Sequence, residues 1–360
     1  MMLRATIDDI LQLAVHAPSG DNSQPWRFEV ADNVVDIHNL PEKDNPVLNY
    51  RQRGSYIAHG SLVENIVLAA GKFGCTAEVL PFPAPANEAH TTRISLKQAD
   101  VQCSPLVDCI LRRHTNRRSY RTDPLSEEHL SLLMDSVRKL ASSGAISFEF
   151  TQEAGQKQTL AECASSIERV ILESALLHGL LFKDVVWSQA EETKRRSGMY
   201  IKTMELAPPQ QLAFWLASHW TVIQALNGLG LSRFIARQDA KLYATGAGMG
   251  VLLVRGSADS RDFLLVGRAM QRIWLTATQL GLHLQPLAGL LFAAMTLEGG
   301  GNDKFSSRHA DIIRVNDSAI RETLRLGPDH RVAMMFRLGQ AAPPSAVCSK
   351  KPPQVEYRQP

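Results

Sequence analysis

Cysteine is scarce and scattered: five residues, at 75, 103, 109, 163 and 348, with no C-x-x-C pair. An odd count without paired spacing argues against a disulfide framework and against a zinc site. Long apolar runs are missing too. No stretch is long and charge-free enough to span a bilayer, and Asp8 and Asp9 interrupt the N-terminus where a secretory leader needs an unbroken apolar core. These absences imply a cytoplasmic protein with no membrane partner. Aromatics make up only 6% and the net charge is +3, so no nucleic-acid partner is expected either. Also absent are a G-x-S-x-G elbow, a catalytic Cys/His signature and a glycine-rich phosphate loop. Gly246, Gly248 and Gly250 precede a strand instead of following one.

What is present is an ordinary globular composition, 44% hydrophobic and 21% charged, over a length of 360 residues that favours two units. Periodicity predicts a helix over 6–16 with Thr6 as N-cap, a hairpin of 26–30 with 34–37, and a helix over 60–73 stopped by Gly74. A strand begins near 78, and a Pro/Ala-rich loop follows. From about Leu106 the pattern restarts. A helix is expected to carry Arg112 to Arg118, followed by a helix over 126–140 and a strand over 146–150. Long helices over 157–182 and 210–229 come next, then strands over 248–254 and 332–338. The tail after Gln340 is Pro-rich and without periodicity.

One repeat stands out. Residues 60–80 and 267–287 superimpose at a constant offset, with Gly60, Ile66, Leu68, Ala70, Gly74 and Leu80 recurring as Gly267, Ile273, Leu275, Ala277, Gly281 and Leu287. Two amphipathic helices ending in glycine always share some pattern; glycines matched at both ends favour a duplication. Two related units in one chain would form a pseudo-dimer.

Three stretches could carry chemistry. Pro18-Ser19-Gly20-Asp21-Asn22-Ser23-Gln24-Pro25-Trp26 is a loop dense in donors and acceptors, suited to a planar, heteroatom-edged ring. A polar turn anchored by Trp26 explains it equally well. Arg112, Arg113, Arg117, Arg118 and Arg121 surround Thr115 and could grip a phosphate monoester, or form a solvated basic helix face. After His283, the small-residue turn Ala288-Gly289 would let backbone N–H groups approach a flat ligand.

Together these stretches resemble the nitroreductase (flavin reductase) family. Its members carry an R-x-[ST]-x-[RK] phosphate motif, matched by Arg113, Thr115 and Arg117, and a P-S-x-x-N-[ST]-Q-P-W loop, matched by Pro18 to Trp26. They also have a helix ending in a P-[IL]-x-G turn, matched by Gly267 to Gly289. The order departs from the family: here the loop comes first, and only Arg4 precedes it. Each half has lost what the other keeps, which resembles the single-chain Acg-like branch.

The resemblance implies an α+β fold with mixed and antiparallel sheets flanked by helices. A shortened unit (1–105) would be fused to a second (106–340) that carries a lid at about 187–215, and an extended Pro-rich tail (341–360) would follow. It implies one FMN per chain. Arg113, Thr115 and Arg117 would hold the phosphate; Pro18, Ser19, Gly20 and Asn22 would line the ring or ribityl side. Ala288 and Gly289 would offer backbone donors, and Lys350 and Lys351 would return to the phosphate. The implied activity is oxidoreduction, NAD(P)H giving hydride to FMN and a quinone or nitroaromatic accepting electrons. No protein side chain needs to act as an acid or base, and the internal pseudo-dimer is compatible with a monomer. The alternative is a flavin-sequestering protein with little turnover.

Overall fold

The computed structural model describes residues 4–84 and 86–358. After a first helix, α1 (Arg4–Ala14), the hairpin β1 (Trp26–Ala31) and β2 (Val34–Asn39) forms around a two-residue turn whose Asp32 takes φ +51°. Helix α2 (Arg53–Lys72) follows, then β3 (Cys75–Pro81) and β4 (His90–Gln98). Gly74, just past α2, adopts φ +66°, the left-handed conformation that ends a helix without strain only in glycine.

The second half runs α3 (Glu127–Ala141), β5 (Ile146–Thr151), then a helical insert. The insert comprises α4 (Ala154–Glu173), α5 (Ala175–Asp184), β6 (Val185–Val186), α6 (Gln189–Arg195), β7 (Met199–Tyr200), α7 (Pro208–Ala217), α8 (Trp220–Gly228) and α9 (Leu231–Tyr243). The chain then continues with β8 (Gly248–Arg255), α10 (Ser260–Gln279), β9 (His283–Pro286), α11 (Gly289–Glu298), α12 (Ser307–Thr323) and β10 (His330–Gly339).

The two large sheets share one topology. The first runs β1-β2-β4-β3 and the second β5-β8-β10-β9, each antiparallel, with α2 and α10 in the same place between the second and third strands. The duplication is thus a property of the fold, and the two copies of the repeat helix pack on each other. At their crossing the matched glycines face reciprocal partners. A Cβ on Gly60 would lie 1.9 Å from the Leu264 carbonyl, and one on Gly267 2.0 Å from that of Ile57. Only glycine permits so close an approach. Beside the crossing, Glu64 is fully buried and accepts from Arg268 Nε at 2.9 Å and Arg272 Nε at 2.6 Å. The Gln271 amide donates to Asn65 Oδ1 at 2.7 Å. The core beneath is common property: Tyr56, Ile57 and Phe82 of the first unit pack with Phe263, Trp274 and Phe336 of the second.

The structure departs from the sequence-based expectation in several places. α1 starts before Thr6, which therefore sits inside its first turn. The expected helix through Arg112–Arg118 is absent: a short 3-10 turn (Pro105–Cys109) leads into irregular chain, where Thr115 bridges to Leu284. Tertiary bonds take the backbone and side-chain groups there, the Asn116 N–H donating to Leu284 O and its amide to Ala342 O. The expected helix over 157–182 is two helices, because Ser174 leaves the helical conformation and its hydroxyl caps α5 at Leu177 N. The expected helix over 210–229 breaks likewise, at Ser218-His219. The tail carries β11 (Val355–Tyr357), which pairs in parallel with β1 at the edge of the other unit's sheet. Residues 359–360 of that tail lie outside the described residues.

Candidate functional site

The loop after α1 is backbone-strained. Asp21, Asn22 and Gln24 have φ of +46°, +55° and +52°, a conformation that costs a non-glycine residue about 1–3 kcal/mol. Its surroundings hold it there. The Ser19 hydroxyl accepts the Gln24 N–H at 3.0 Å, Trp26 is buried, and His59 Nε2 lies 2.9 Å from the Pro25 carbonyl. Burial brings the His59 pKa down to about 4. The ring is therefore neutral, and since a carbonyl only accepts, the proton sits on Nε2 and is donated to Pro25. A lone histidine inside an apolar helix gives no sequence signal of this supporting role.

Two cations meet under the loop. Arg113 is only 6% exposed; its Nη2 donates to His16 O at 3.0 Å and its guanidinium lies over the Trp274 ring at 4.3 Å. Lys350 comes back from the tail and donates to Ala17 O and to Asn22 Oδ1, both at 2.8 Å. Among the described residues neither forms an ion pair with a carboxylate, and the buried Nε of Arg113 has no hydrogen-bond partner. The electrostatic consequence is large. Burial pushes Arg113 down to about 9, and burial, then Arg113, brings Lys350 to about 7. Burial and the same two cations lower His16, and burial with Arg113 first among its charged neighbours takes His114 to about 4. Glu192 offsets part of the burial cost at Lys350, but no carboxylate does so at Arg113, and a buried cation without a counter-charge is costly, so this corner is suited to an anion.

Of the remaining arginines, Arg117 donates to Thr203 O at 3.2 Å, Arg118 pairs with Glu205 at 3.1 Å and Arg121 with Asp123 at 2.9 Å. Arg112 is exposed. The stretch is therefore not one basic face: it turns Arg113 inward and spends Arg118 and Arg121 on carboxylates. Thr115 is placed against β9 by its bridge to Leu284. Beyond β9, Ala288 and Gly289 form the N-terminus of α11; among the described residues no hydrogen bond joins them to the loop. Lys351 meets the loop through its backbone, its N–H donating to Gln24 Oε1 at 2.9 Å.

Arg117 also acts electrostatically on two carboxyls, Asp21 and Glu168, to which the sequence reading gave no role. Burial raises Asp21 to about 6, helped by Asp184 and Asp44 and opposed by Arg117. Glu168 on α4 is raised by burial and then by Asp239 on α9; Asp239 is itself raised by burial. The Tyr243 hydroxyl donates to Glu168 Oε1 at 3.3 Å. Glu168, Asp239 and Tyr243 stand in the helical insert, where the sequence carries no motif, whereas Asp21 belongs to the loop itself.

The segment expected as a lid is tied to the loop, the arginine segment and the tail. The Gln24 amide donates to Arg196 O at 2.8 Å, Arg117 reaches Thr203 O, and Glu205 accepts from Ser345 N at 2.6 Å. Glu192 accepts the Ser349 N–H, and Asn22 Nδ2 donates to Ser349 O at 3.0 Å. Loop, arginine segment, tail and lid are thus stitched together by groups drawn from both units.

No family model matches the chain. Among curated proteins it is 23% identical over 347 residues to "Uncharacterized protein MT1398" of Mycobacterium tuberculosis (strain CDC 1551 / Oshkosh), covering 96% of this chain but 47% of that one. The chain thus spans about half the length of that relative. It is 25% identical over 297 residues to "Putative NAD(P)H nitroreductase Rv3131" of Mycobacterium tuberculosis (strain ATCC 25618 / H37Rv), covering 81% of this chain and 78% of the relative. Among solved structures, the FMN-dependent nitroreductase NfnB of Mycobacterium smegmatis in complex with NADPH is 15% identical. That overlap takes in 66% of this chain and 87% of NfnB, with a TM-score of 0.38, too partial to carry an argument.

Proposed function

We propose that the chain belongs to the nitroreductase family, in its single-chain Acg-like branch, and is an FMN-dependent oxidoreductase with one flavin site, working in the cytoplasm. The observation that carries this is the meeting of two cations beneath the strained loop, the half-buried Lys350 and the buried Arg113, the latter without a carboxylate partner among the described residues. A phosphate monoester would supply the missing counter-charge and a partner for the orphaned Arg113 Nε. In this reading Arg113, Thr115, Arg117 and Lys350 hold the phosphate. Pro18, Ser19, Gly20 and Asn22 line the ring or ribityl side, the α11 start at Ala288-Gly289 offers N–H groups, and the Lys351 ammonium adds long-range attraction. The bound flavin would take hydride from NAD(P)H and pass electrons to a quinone or nitroaromatic acceptor. The protein's share is to orient it and to exclude water under the 187–215 lid. The division into a unit of 1–105, a unit of 106–340 and a tail of 341–360 belongs to the same proposal, since each unit contributes half of the site.

A second reading has its own observation: the lid is hydrogen-bonded to loop and tail, the arrangement of a protein that sequesters flavin. One experiment separates the readings. The purified protein is expected to be yellow, and anaerobic NADH or NADPH to bleach it. Yellow protein that bleaches with neither favours sequestration; colourless protein that takes up no FMN overturns both.

Lys350 gives the reading a pH signature. Its pKa is depressed to about 7 by burial, against an ordinary 10.5, and a phosphate dianion beside it would return it toward the ordinary value. Binding then takes up a proton above pH 7. FMN affinity is expected to fall with rising pH, approaching tenfold per unit between about pH 8 and 10. Lys350→Gln should bind more weakly at pH 7 and lose most of that slope in a fluorescence titration.

A further inference from the structure

From Leu206 to Ser232 the chain has no Asp, Glu, Lys or Arg in 27 residues, although 21% of the whole sequence is charged. Such a run would ordinarily be core; here it forms α7, α8 and the turn into α9 and lies largely open. The inward sides are packed away: Ala217, Ile223 and Ala240 are buried, and Phe214 packs against Phe182 and Trp187. The outward sides are large and apolar. Leu212, Trp215 and Leu216 form an i, i+3, i+4 stripe on α7. Leu229, in the α8–α9 turn, is 86% exposed, and Phe234, in the first turn of α9, is 57% exposed.

The charges beside this surface have one sign. Arg233, Arg237 and Lys241 recur every four residues along α9, all exposed. Among the described residues none of them has an ion-pair partner. Phe234 lies on the same face as Arg237 and Lys241, three and seven residues on. The acidic groups nearby face elsewhere: Asp239 is turned toward Glu168, and Glu205 is held by Arg118 and Ser345.

We propose that the α7–α9 surface is a docking site for an anionic phospholipid bilayer, with Leu229 and Phe234 entering the headgroup region and Arg233, Arg237 and Lys241 meeting lipid phosphates. Apolar insertion beside a row of cations is the chemistry of a helix lying in a membrane interface. A second copy of the chain fits less well. A two-fold contact sets a patch against itself, and the unpaired cations would then face one another. The absence, among the described residues, of any helix long and apolar enough to cross a membrane is no obstacle, since surface docking needs none. The expectation of no membrane partner rested on the lack of a spanning stretch and of a secretory leader, neither of which bears on surface docking. The proposal stands independently of the flavin reading.

The test is sedimentation of the purified full chain with unilamellar vesicles of phosphatidylcholine, with and without about 30% phosphatidylglycerol, at about 0.1 M salt. Partition onto the anionic vesicles is expected, and little onto phosphatidylcholine alone. Arg233→Gln/Arg237→Gln/Lys241→Gln should weaken it on the order of a hundredfold, and Leu229→Ser/Phe234→Ser should abolish it. Both variants change exposed side chains, and each should keep the wild-type thermal midpoint and far-ultraviolet spectrum. Absence of binding by the wild-type chain overturns the proposal, as does binding that survives Leu229→Ser/Phe234→Ser. So does a concentration-dependent dimer that this variant dissolves without any vesicle binding, since the face would then belong to a second copy.

Discussion

Arg113→Ala/Arg117→Ala is expected to purify colourless, with the FMN dissociation constant raised by about 10²–10⁴. The estimate follows from two charge-assisted hydrogen-bond donors worth roughly 1.5–3 kcal/mol each, at about 1.4 kcal/mol per tenfold. Arg113 carries the larger share because it is buried and its Nε is unpartnered, so little of its attraction is screened by water. Arg117 is the more solvated and already engages Thr203 O. Riboflavin separates this effect from simple misfolding: without the phosphate, it should bind wild type and variant within a few-fold of each other. Arg112→Ala and Arg121→Ala should leave FMN binding unchanged, since the first side chain is exposed and the second pairs with Asp123. Equal FMN affinity in wild type and the double variant would sink the phosphate assignment. A colour lost on Arg121→Ala would point instead to a diffuse basic patch.

The legible parts of the molecule are those fixed by neighbours in sequence. The β1–β2 hairpin, α2 with its terminal Gly74, and the strands β8 and β10 follow from alternation, helical period and turn residues within a few positions of each other. The repeat made the pairing of units readable as well, because the glycines that allow α2 and α10 to touch are also the glycines that recur. The arginine segment was misread as helix because its conformation is set from afar. Arg113 bonds to His16 across 97 positions and Asn116 to Ala342 across 226, and no window of sequence contains such partners. β11 hid for a related reason: three residues in a proline-rich tail become a strand only because β1 presents a free edge. His59 and the Glu168–Asp239–Tyr243 group were invisible at the site because residues of those types in helices are most often solvated or structural.

Two glycine-to-alanine changes in one helix should have opposite signs. Gly60→Ala is expected to destabilise the protein by about 3 kcal/mol or more, a large part of an ordinary stability of about 5–15 kcal/mol. The new Cβ would sit 1.9 Å from the Leu264 carbonyl and 2.8 Å from Arg268 N and Gly267 Cα. All three are backbone atoms, so no rotamer change relieves the clash and the helices must separate. Separation loosens the shared core at Tyr56, Phe263 and Trp274 and lengthens the buried contacts of Glu64 with Arg268 and Arg272. Gly71→Ala, eleven residues along the same helix, meets nothing within 4 Å. It removes only unfolded-state freedom and should stabilise by roughly 0.5–1 kcal/mol. Urea unfolding midpoints measure both. The reciprocal geometry adds a sharper requirement. Gly267→Ala should cost as much as Gly60→Ala, and the double variant less than their sum, because helices already pushed apart by one methyl make room for the other. Strict additivity would mean that the two glycines do not share one crossing, and the symmetry of the two units would have to rest on their sheets alone.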